Sequence, residues 1–342
     1  MVRIGLVGAG VIGKRHVAAI AAANVAKLAA IADPSPASRQ LAEEHGVPHF
    51  SSTAEMMDAV SPDGVIVATP TEHHLKPTLT ALNAGAHVLV EKPIAATTAE
   101  AAQIVDACRS AGRDVLVGHH RRYYECVARA REIIDRGELG RLVAVAGQWT
   151  VRKDEGYYEQ DWRRRRAAGP VLTNLVHDMD TLRTICGEVA TITGETANNV
   201  LGFEKEDAAA IVMLFANGAL GTFLLSDQAC SPWGWEFGTG ENPAFPRSGE
   251  NSTRFIGTEG ALEFPNLVLW KSAGERCNWN TPMKATPVST DFSDAFVSQI
   301  RHFAKVIAGE APPLISAADG ARSLAATLAV FTASATGRRV VL

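Results

Sequence analysis

The sequence has few cysteines and no cysteine pair at close spacing. The five cysteines are an odd number and lie far apart: Cys108, Cys126, Cys186, Cys230 and Cys277. A disulfide framework needs an even set, and a thiolate zinc site needs paired ligands, so neither is indicated. We expect reduced thiols, as in a cytosolic protein.

Long apolar runs and a strong excess of charge are also missing. No apolar run approaches the roughly 18 residues that a membrane-spanning helix needs. Met1-Val2-Arg3 leads directly into the strand-like Ile4-Gly5-Leu6-Val7, without the apolar segment of an export signal. A formal net charge of −4 gives no overall attraction to nucleic acid. These absences predict a cytoplasmic protein that binds neither membrane nor nucleic acid.

What is present is the composition of a globular chain that is long enough for two domains. Hydrophobic residues make up 46% of the chain and charged residues 20%, which excludes a disordered protein. At 342 residues the chain exceeds the size at which one hydrophobic core stops growing. We predict a first domain over 1–121 and a second over 122–342, with the terminal helix and strand able to pack back on the first.

The first domain alternates short apolar runs with helical patterns, which is typical of βαβ units on a parallel sheet. The runs lack polar alternation, as expected of strands covered by helices on both faces. The predicted strands are 4–8, 28–33, 64–68, 87–90 and 114–118, and the predicted helices are 14–23, 35–45, 77–84 and 98–110. The pattern predicts a doubly wound Rossmann sheet.

The second domain has the pattern of an α+β fold. Strand-like stretches joined by short turns, such as Ala216-Asn217-Gly218, predict a mostly antiparallel sheet. The predicted strands are 142–151, 189–196, 208–215, 218–226, 252–257, 261–264 and 338–342, the helices are 125–136, 293–307 and 317–335, and 232–249 is a long loop.

A glycine-rich motif joins the first strand to the first helix, in the sequence Gly8-Ala9-Gly10-Val11-Ile12-Gly13. In a dinucleotide-binding turn, Gly8 would allow the tight bend, Gly10 the approach of a pyrophosphate, and Gly13 the close packing of helix and strand. The phosphates would lie at the helix N-terminus, where N–H groups favour an anion. The alternative is a merely structural glycine turn.

Asp33 ends the second strand, 20 residues beyond Gly13, where a carboxylate reaches the adenosine ribose diol in such folds. It favours NAD and should repel the 2′-phosphate of NADP. Arg39 is near enough in sequence to accommodate that phosphate, so NADP stays open. Asp33 could instead be a turn residue before Pro34.

Two segments resemble a known family. The first is Ala68-Thr69-Pro70-Thr71-Glu72-His73-His74, and the second is Ala84-Gly85-Ala86-His87-Val88-Leu89-Val90-Glu91-Lys92-Pro93. They resemble the ATPxxxH and AGxHVxxEKP segments of the glucose-fructose oxidoreductase, inositol dehydrogenase and rhizopine-catabolism (Gfo/Idh/MocA) family. The order of Gly137-Glu138-Leu139-Gly140, Asp161-Trp162-Arg163 and a helix from Gly169 to Gly187 extends the resemblance over almost the whole chain.

The resemblance implies a Rossmann domain, an open-faced antiparallel sheet domain, and NAD or NADP as cofactor. It also implies oxidation or reduction of sugars, cyclitols or related polyols, and a homodimer or homotetramer formed through the sheet. At the cofactor it places Thr69, Pro70, His74, Glu91 and Lys92, in addition to the glycine-rich motif with Val11 and Ile12.

Lys92 matches the lysine that the family directs toward the nicotinamide and the reacting hydroxyl. An ammonium beside a developing alkoxide would stabilise its negative charge. Pro93 would fix the backbone there, and the Lys92–Pro93 peptide bond could be cis. The alternative is a solvated lysine on a surface loop.

The helix that begins near Gly169 carries His177, which matches the family's general base. The family usually has aspartate four residues earlier, where this chain has Thr173. Thr173 could orient the substrate or pass a proton through its hydroxyl, and the neighbouring Asn174 can both donate and accept. His177 could instead be a core histidine capped by Asp180.

Weaker signals predict a substrate wall from Tyr157, Trp162 and Arg163, since aromatic rings stack on the apolar faces of sugars. Arg122, at the end of the fifth strand, could also contact substrate. Core packing or a solvated face explains these residues nearly as well. The histidines lack acidic partners at ligand spacing, so we predict no metal site.

The leading functional hypothesis is an NAD-preferring dehydrogenase that acts on a secondary hydroxyl of a sugar or cyclitol. A dihydrodiol dehydrogenase or a sugar-ketone reductase would use the same residues. Two alternatives from other classes are an NAD-dependent glycosidase and a non-catalytic NAD-sensing regulator.

Overall fold

A computed structural model describes residues 1–274 and 277–342. The chain forms two compact units, each built from two segments. The first unit comprises Met1–Tyr123 and Ser293–Leu324, and the second comprises Tyr124–Phe292 and Ala325–Leu342.

The first unit contains a six-stranded parallel sheet with the strand order β3-β2-β1-β4-β5-β6. Its strands are β1 (Val2–Val7), β2 (Ala26–Ala32), β3 (His49–Phe50), β4 (Gly64–Val67), β5 (His87–Val90) and β6 (Val115–Val117). The order reverses between β1 and β4, which is the switch point where Rossmann folds bind ligands. The predicted Rossmann sheet is confirmed.

Helices cover the sheet of the first unit. They are α1 (Val11–Ala23), α2 (Pro36–Glu44), α3 (Thr53–Val60), α4 (Leu75–Asn83), α5 (Thr98–Ala111) and, from the C-terminal segment, α9 (Ala295–Ile307). The buried positions of α1 include Gly13, His16, Val17 and Ile20, spaced as one helical face. Asp294 caps α9 by accepting from the N–H of Phe296, and α9 packs on α1.

The second unit contains a nine-stranded sheet with the order β14-β13-β12-β11-β7-β10-β9-β8-β15. The strands are β7 (Leu142–Thr150), β8 (Val189–Ala197), β9 (Ala208–Phe215), β10 (Leu220–Ser226), β11 (Thr253–Gly257), β12 (Gly260–Phe264), β13 (Val268–Ser272), β14 (Met283–Pro287) and β15 (Val340–Val341). Within this sheet, only the β7–β10 pair is parallel among the described residues, and the other pairs are antiparallel. This confirms the prediction of a mostly antiparallel sheet.

The helices of the second unit are α6 (Glu125–Asp135), α7 (Val176–Cys186) and α8 (Trp235–Thr239), and the unit boundary at Leu324 falls within α10 (Ala317–Thr336). A π-helical turn, Val171–Leu175, leads directly into α7. Helix α8 lies inside the segment 232–249 that was predicted as a loop. None of the helices in the described residues is both long enough and apolar enough to cross a bilayer.

Candidate active site

The glycine motif forms the turn between β1 and α1 in a way that only glycine allows. Gly8 has a φ of +92°, and a Cβ there would lie 2.7 Å from the backbone of Ala68. A Cβ on Gly13 would lie 2.1 Å from the carbonyl oxygen of Gly8. Around Gly10, by contrast, a Cβ would meet nothing within 4 Å. The backbone is therefore packed tightly at both ends of the motif and open at its centre.

The N-terminus of α1 has no side-chain cap among the described residues. Its N-cap, Gly10, makes no side-chain hydrogen bond, and the first turn has no acidic residue. Val11, the first residue of the helix, is 85% exposed. These features fit the pyrophosphate of a dinucleotide, which would take the N–H groups and cover the exposed turn.

A cavity of about 480 Å³ lies beside this turn, at the ends of β1, β2 and β4. It is lined by residues from the strand ends and the loops that follow them, including Val7, Gly8, Asp33, Pro34, Thr69 and His73. Thr69 Oγ1 is buried and has no hydrogen-bond partner among the described residues. The cavity has the size and position for the adenosine part of a dinucleotide.

Asp33 is held as a carboxylate in this cavity. Its Oδ2 accepts from the N–H of Ala9 and its Oδ1 from the N–H of Ser35, both at 2.7 Å. Burial by itself raises the pKa of Asp33, but these hydrogen bonds outweigh it and lower the pKa below the usual range. Because a carboxylate has about four acceptor positions, Asp33 retains acceptor capacity for the hydroxyls of a ribose.

His74 links two of the strand-end loops. Its ring is buried, with Nδ1 2.8 Å from the carbonyl oxygen of Pro93 and Nε2 2.9 Å from that of Thr69. Burial lowers the pKa of His74 despite these two acceptors. His74 thus ties the loop after β4, which also contains Pro70, to the turn after β5. The adjacent His73, which was not predicted as a site residue, lines the cavity.

The turn after β5 carries Glu91, Lys92 and a cis bond to Pro93. Glu91 is buried, and its Oε1 lies 2.8 Å from Nε2 of His16 on α1. The backbone N–H of Lys92 donates to Glu91 Oε2 at 3.1 Å. His16 was not predicted, because a histidine on the inner face of a helix has no signature in sequence.

Arg122 lies in the 3-10 turn His120–Tyr123 of the first unit. Its guanidinium forms an ion pair with Asp319 at 2.6 Å, and both side chains are largely buried. The ion pair connects this turn to the start of α10 within the first unit.

In the second unit, the residues around His177 sit on two kinds of helix. The sequence pattern predicted one continuous α-helix, but Val171–Leu175 forms a π-helical turn before α7 begins. The Thr173 hydroxyl lies 2.9 Å from both the carbonyl oxygen of Gly169 and Oδ1 of Asn174. His177 is in the first turn of α7 and is 8% exposed. Because a π turn is wider than an α-helical turn, Thr173 and His177 are not related by the regular four-residue spacing of one α-helix.

Glu206 holds the start of this π turn. Its Oε1 accepts from the N–H of Val171 at 2.8 Å, so a distant carboxylate replaces a local helix cap. A Cβ on Gly169 would lie 2.4 Å from both carboxylate oxygens, which explains glycine at that position. Burial raises the pKa of Glu206 in spite of this hydrogen bond.

The segment with Tyr157, Trp162 and Arg163 forms an aromatic and cationic cluster. Lys153 Nζ lies 4.5 Å and Arg163 Cζ 4.3 Å from the centre of the Tyr157 ring. Arg163 also lies over the Trp162 ring, which is 57% exposed. Nε of Arg163 is buried with no hydrogen-bond partner among the described residues.

A buried ionic cluster, which the sequence did not predict, anchors this segment to the sheet. Lys205 Nζ donates to both carboxylate oxygens of Asp227, at 3.0 and 2.9 Å, and lies 3.5 Å from Asp207. All three side chains are fully buried. Tyr158 donates to Asp227 at 2.9 Å, and Lys153 Nζ lies 3.3 Å from it.

Metal ligands do not cluster in the described part of the chain, where no group of three His, Cys, Asp or Glu side chains could hold an ion.

Comparison with known proteins agrees with this geometry. Residues 2–119 match the model of the GFO_IDH_MocA oxidoreductase family, described as an NAD-binding Rossmann fold, and residues 127–263 match the GFO/IDH/MocA C-terminal domain. A 1,5-anhydro-D-fructose reductase of Ensifer adhaerens is 29% identical and covers 99% of this chain and 98% of its own. A scyllo-inositol 2-dehydrogenase (NAD⁺) of Bacillus subtilis is 25% identical, with 100% and 96% covered.

Among solved structures, the WlbA dehydrogenase of Bordetella pertussis, in complex with NADH and UDP-GlcNAcA, superimposes with a TM-score of 0.83 at 23% identity. The match covers 100% of this chain and 98% of that one. This likeness establishes the fold.

Proposed function

This chain belongs to the Gfo/Idh/MocA family of NAD-binding oxidoreductases, and we propose that it transfers a hydride between nicotinamide and a secondary hydroxyl of a sugar, cyclitol or related polyol. The observation that carries the proposal is the cavity at the switch point of the first sheet, with the open turn at Gly10 on one side and Asp33 inside it. The ionised Asp33 would repel a 2′-phosphate, so we propose NAD as the preferred cofactor.

We assign charge stabilisation to Lys92. It follows β5 at the carboxyl end of the sheet, where Rossmann folds place their reacting groups. When bound, NAD supplies the hydride acceptor. The ammonium of Lys92 would stabilise the negative charge that develops on the hydroxyl oxygen as its proton leaves.

We assign the general base to His177. It is the one histidine in the sequence of the second unit, and it lies in the first turn of α7 after a π-helical turn, a feature that occurs often at functional sites. An imidazole can take the hydroxyl proton near neutral pH. Thr173 and Asn174, which are hydrogen-bonded to each other, would orient the substrate in the place of the family's aspartate.

We place the sugar against the Trp162 side of the cationic cluster. The Trp162 ring is exposed, whereas two cations lie over the Tyr157 ring. An exposed aromatic face suits the apolar face of a sugar. The Arg163 guanidinium, which lies over both the Tyr157 and the Trp162 ring, would donate to a hydroxyl or carboxylate of the substrate.

A second copy of this chain is the proposed partner, bound through the exposed face of the nine-stranded sheet. Strand register aligns Leu214, Leu220, Ala144 and Ile256 in one row across β9, β10, β7 and β11. Leu220 is 57% exposed, and a contiguous apolar patch on a sheet commonly marks an interface. Light scattering should show a dimer or tetramer, and Leu220→Glu should reduce it to smaller species, whereas a monomeric wild type contradicts the assignment.

The cysteines carry free thiols, which supports our proposal of a cytoplasmic location.

The experiment that tests the function is a screen for NADH formation with a panel of sugars, inositols and diols. We expect turnover of at least one polyol with NAD and weaker turnover with NADP. The full-length match to a 1,5-anhydro-D-fructose reductase supports the opposite direction as a second candidate. Oxidation of NADH by a sugar ketone, without reduction of NAD by any polyol, would favour it.

A further inference from the structure

His16 is a buried residue to which the proposed reaction assigns no role. It lies on α1, three residues beyond Gly13, and its side chain has no solvent exposure. Its Nε2 contacts Glu91 Oε1 at 2.8 Å, and the other oxygen of the same carboxylate accepts the backbone N–H of Lys92. One carboxylate therefore connects α1 to the peptide group of Lys92.

The charge state of Glu91 fixes the direction of these hydrogen bonds. Burial alone raises the pKa of Glu91, but the hydrogen bond from His16 and the neighbouring positive charges, Lys92 and His120 among them, bring the pKa to about 2. An ionised carboxylate only accepts hydrogen bonds. His16 must therefore donate from Nε2, and Lys92 donates from its backbone.

Packing leaves this arrangement little freedom. The His16 ring meets the Phe296 ring edge to face at 5.4 Å, and Phe296 stacks on His120 at 4.8 Å. On the other side of the carboxylate, a Cβ at Gly118 would lie 3.0 Å from the Glu91 carboxyl group. The Glu91 side chain is thus confined between α1 and the end of β6.

We propose that His16 is a positioning residue, which holds the Glu91 carboxylate in place and thereby sets the position of Lys92. The inference rests on the proposed function, in which the Lys92 ammonium stabilises the developing oxyanion. Because His16 is fully buried, it touches neither substrate nor cofactor. A displacement of about 1 Å at a reacting group lowers the rate by roughly 10²-fold, so the loss of this support should be measurable.

A matched pair of variants separates the hydrogen bond from packing. His16→Gln keeps an N–H donor near the place of Nε2, and His16→Leu keeps a similar volume without a donor. We expect His16→Leu to lower kcat by about 10²-fold, while the Kd for NAD, measured by fluorescence, changes by less than about threefold. His16→Gln should restore kcat to within about fivefold of the wild type. Equal losses in both variants would overturn the proposal.

A double-mutant cycle tests whether the effect passes through Lys92. In a Lys92→Met background, we expect His16→Leu to cause no further loss of kcat, because the group that it positions is gone. Independent losses that multiply would mean that His16 acts on something else.

Amide hydrogen exchange gives a readout that needs no turnover. The N–H of Lys92 should lose about tenfold of its protection in His16→Leu and in Glu91→Gln, while the amides of Val88 and Leu89 in β5 keep theirs. Unchanged Lys92 protection in both variants overturns the proposal even if one of them folds poorly. If the wild type oxidises no polyol, the proposed function fails, and hydrogen exchange still decides the role of His16.

Discussion

Two buried glutamates, one in each unit, each accept a backbone N–H near a proposed reacting group. Their pKa values are shifted in opposite directions. Glu91 accepts the N–H of Lys92, and Glu206 accepts the N–H of Val171 at the start of the segment that leads to His177. The pKa of Glu91 falls to about 2, because the hydrogen bond and charge of His16 overcome the effect of burial. The pKa of Glu206 rises, because burial there is stronger than its hydrogen bonds and the charge of Lys205.

The difference shows that the two units hold their sites by different means. In the first unit, His16 and Lys92 compensate the negative charge of Glu91. The tightly packed backbone at Gly8 and Gly13 determines the shape of the proposed cofactor site. In the second unit, Lys205 donates to the carboxylate of Asp227 and not to that of Glu206. It therefore anchors the Tyr157 segment and leaves the charge of Glu206 less well compensated. We therefore expect substitution of Lys92 to affect the reaction, and substitution of Lys205 in the second unit to affect stability.

The largest expected effect is at Lys92. Lys92→Met should lower kcat by about 10³-fold, because it removes the charge proposed to stabilise the oxyanion. The Kd for NAD should change little. Lys27→Met, at an exposed lysine of the same unit, is the control and should retain full turnover. Full turnover of Lys92→Met would contradict the assignment of charge stabilisation to Lys92.

The next effect concerns the ionic cluster of the second unit. Lys205→Met removes the buried ammonium between Asp207 and Asp227 and leaves Asp227 with Lys153 alone, which should lower the free energy of unfolding by about 3–5 kcal/mol. Urea denaturation measures the change. Arg165→Ala, which breaks an exposed ion pair with Asp161 in the same region, is the control and should leave the midpoint unchanged. Equal midpoints for the two variants would show that the cluster is not an anchor.

A smaller effect on turnover is expected at His177. His177→Gln should lower kcat by about 10²-fold and remove the fall in rate at low pH, because the proposed base would no longer become protonated. The pH dependence of kcat checks this, with His45→Gln, an exposed histidine of the first unit, as control. A retained acid limb in His177→Gln would assign the proton transfer to another group.

The smallest expected effect is on the pH dependence of stability, which should differ in sign between the Glu91 and Glu206 variants. A carboxyl group whose pKa is lowered by folding stabilises the protein at pH values above its ordinary pKa near 4.5, and this stabilisation is lost as the pH falls toward 2. Glu91→Gln should therefore be less stable than the wild type by about 1–2 kcal/mol at pH 6, and by less at pH 3. A raised pKa has the opposite sign, because its stabilising contribution is lost as pH rises through the folded pKa.

Glu206→Gln should therefore be at least as stable as the wild type at pH 7, and the two should converge in acid. Urea unfolding between pH 3 and 7 measures both variants. Parallel curves for the two glutamate variants would contradict the comparison.

The sequence predicted the first unit better than the second, for physical reasons. Glycines at Gly8 and Gly13 are required by backbone geometry, and Asp33 stands at a fixed distance along a regular βαβ unit, so these positions are visible in sequence. The two-residue strand β3 was missed because so short a run has no periodicity. His16 was missed because only the packing of α1 against the β5 turn gives it a partner.

The second unit depends on contacts between distant residues. Lys205 and Asp227 are separated by 22 positions and meet because β9 and β10 pair, which composition does not reveal. The π-helical turn at Val171–Leu175 follows the same apolar periodicity as an α-helix, so the pattern could not distinguish them. Strands β13 and β14 were missed because they are short and lie toward one edge of the sheet.

Isotope transfer from substrate to cofactor tests the proposed hydride transfer without relying on a substituted residue. The enzyme is incubated with NAD and a polyol, identified by the screen, that carries deuterium on the carbon bearing the reactive hydroxyl, and the dinucleotide is examined by mass spectrometry. We expect reduced dinucleotide that carries one deuterium, formed at a rate that depends on Lys92. Product formation without deuterium in the dinucleotide would contradict it.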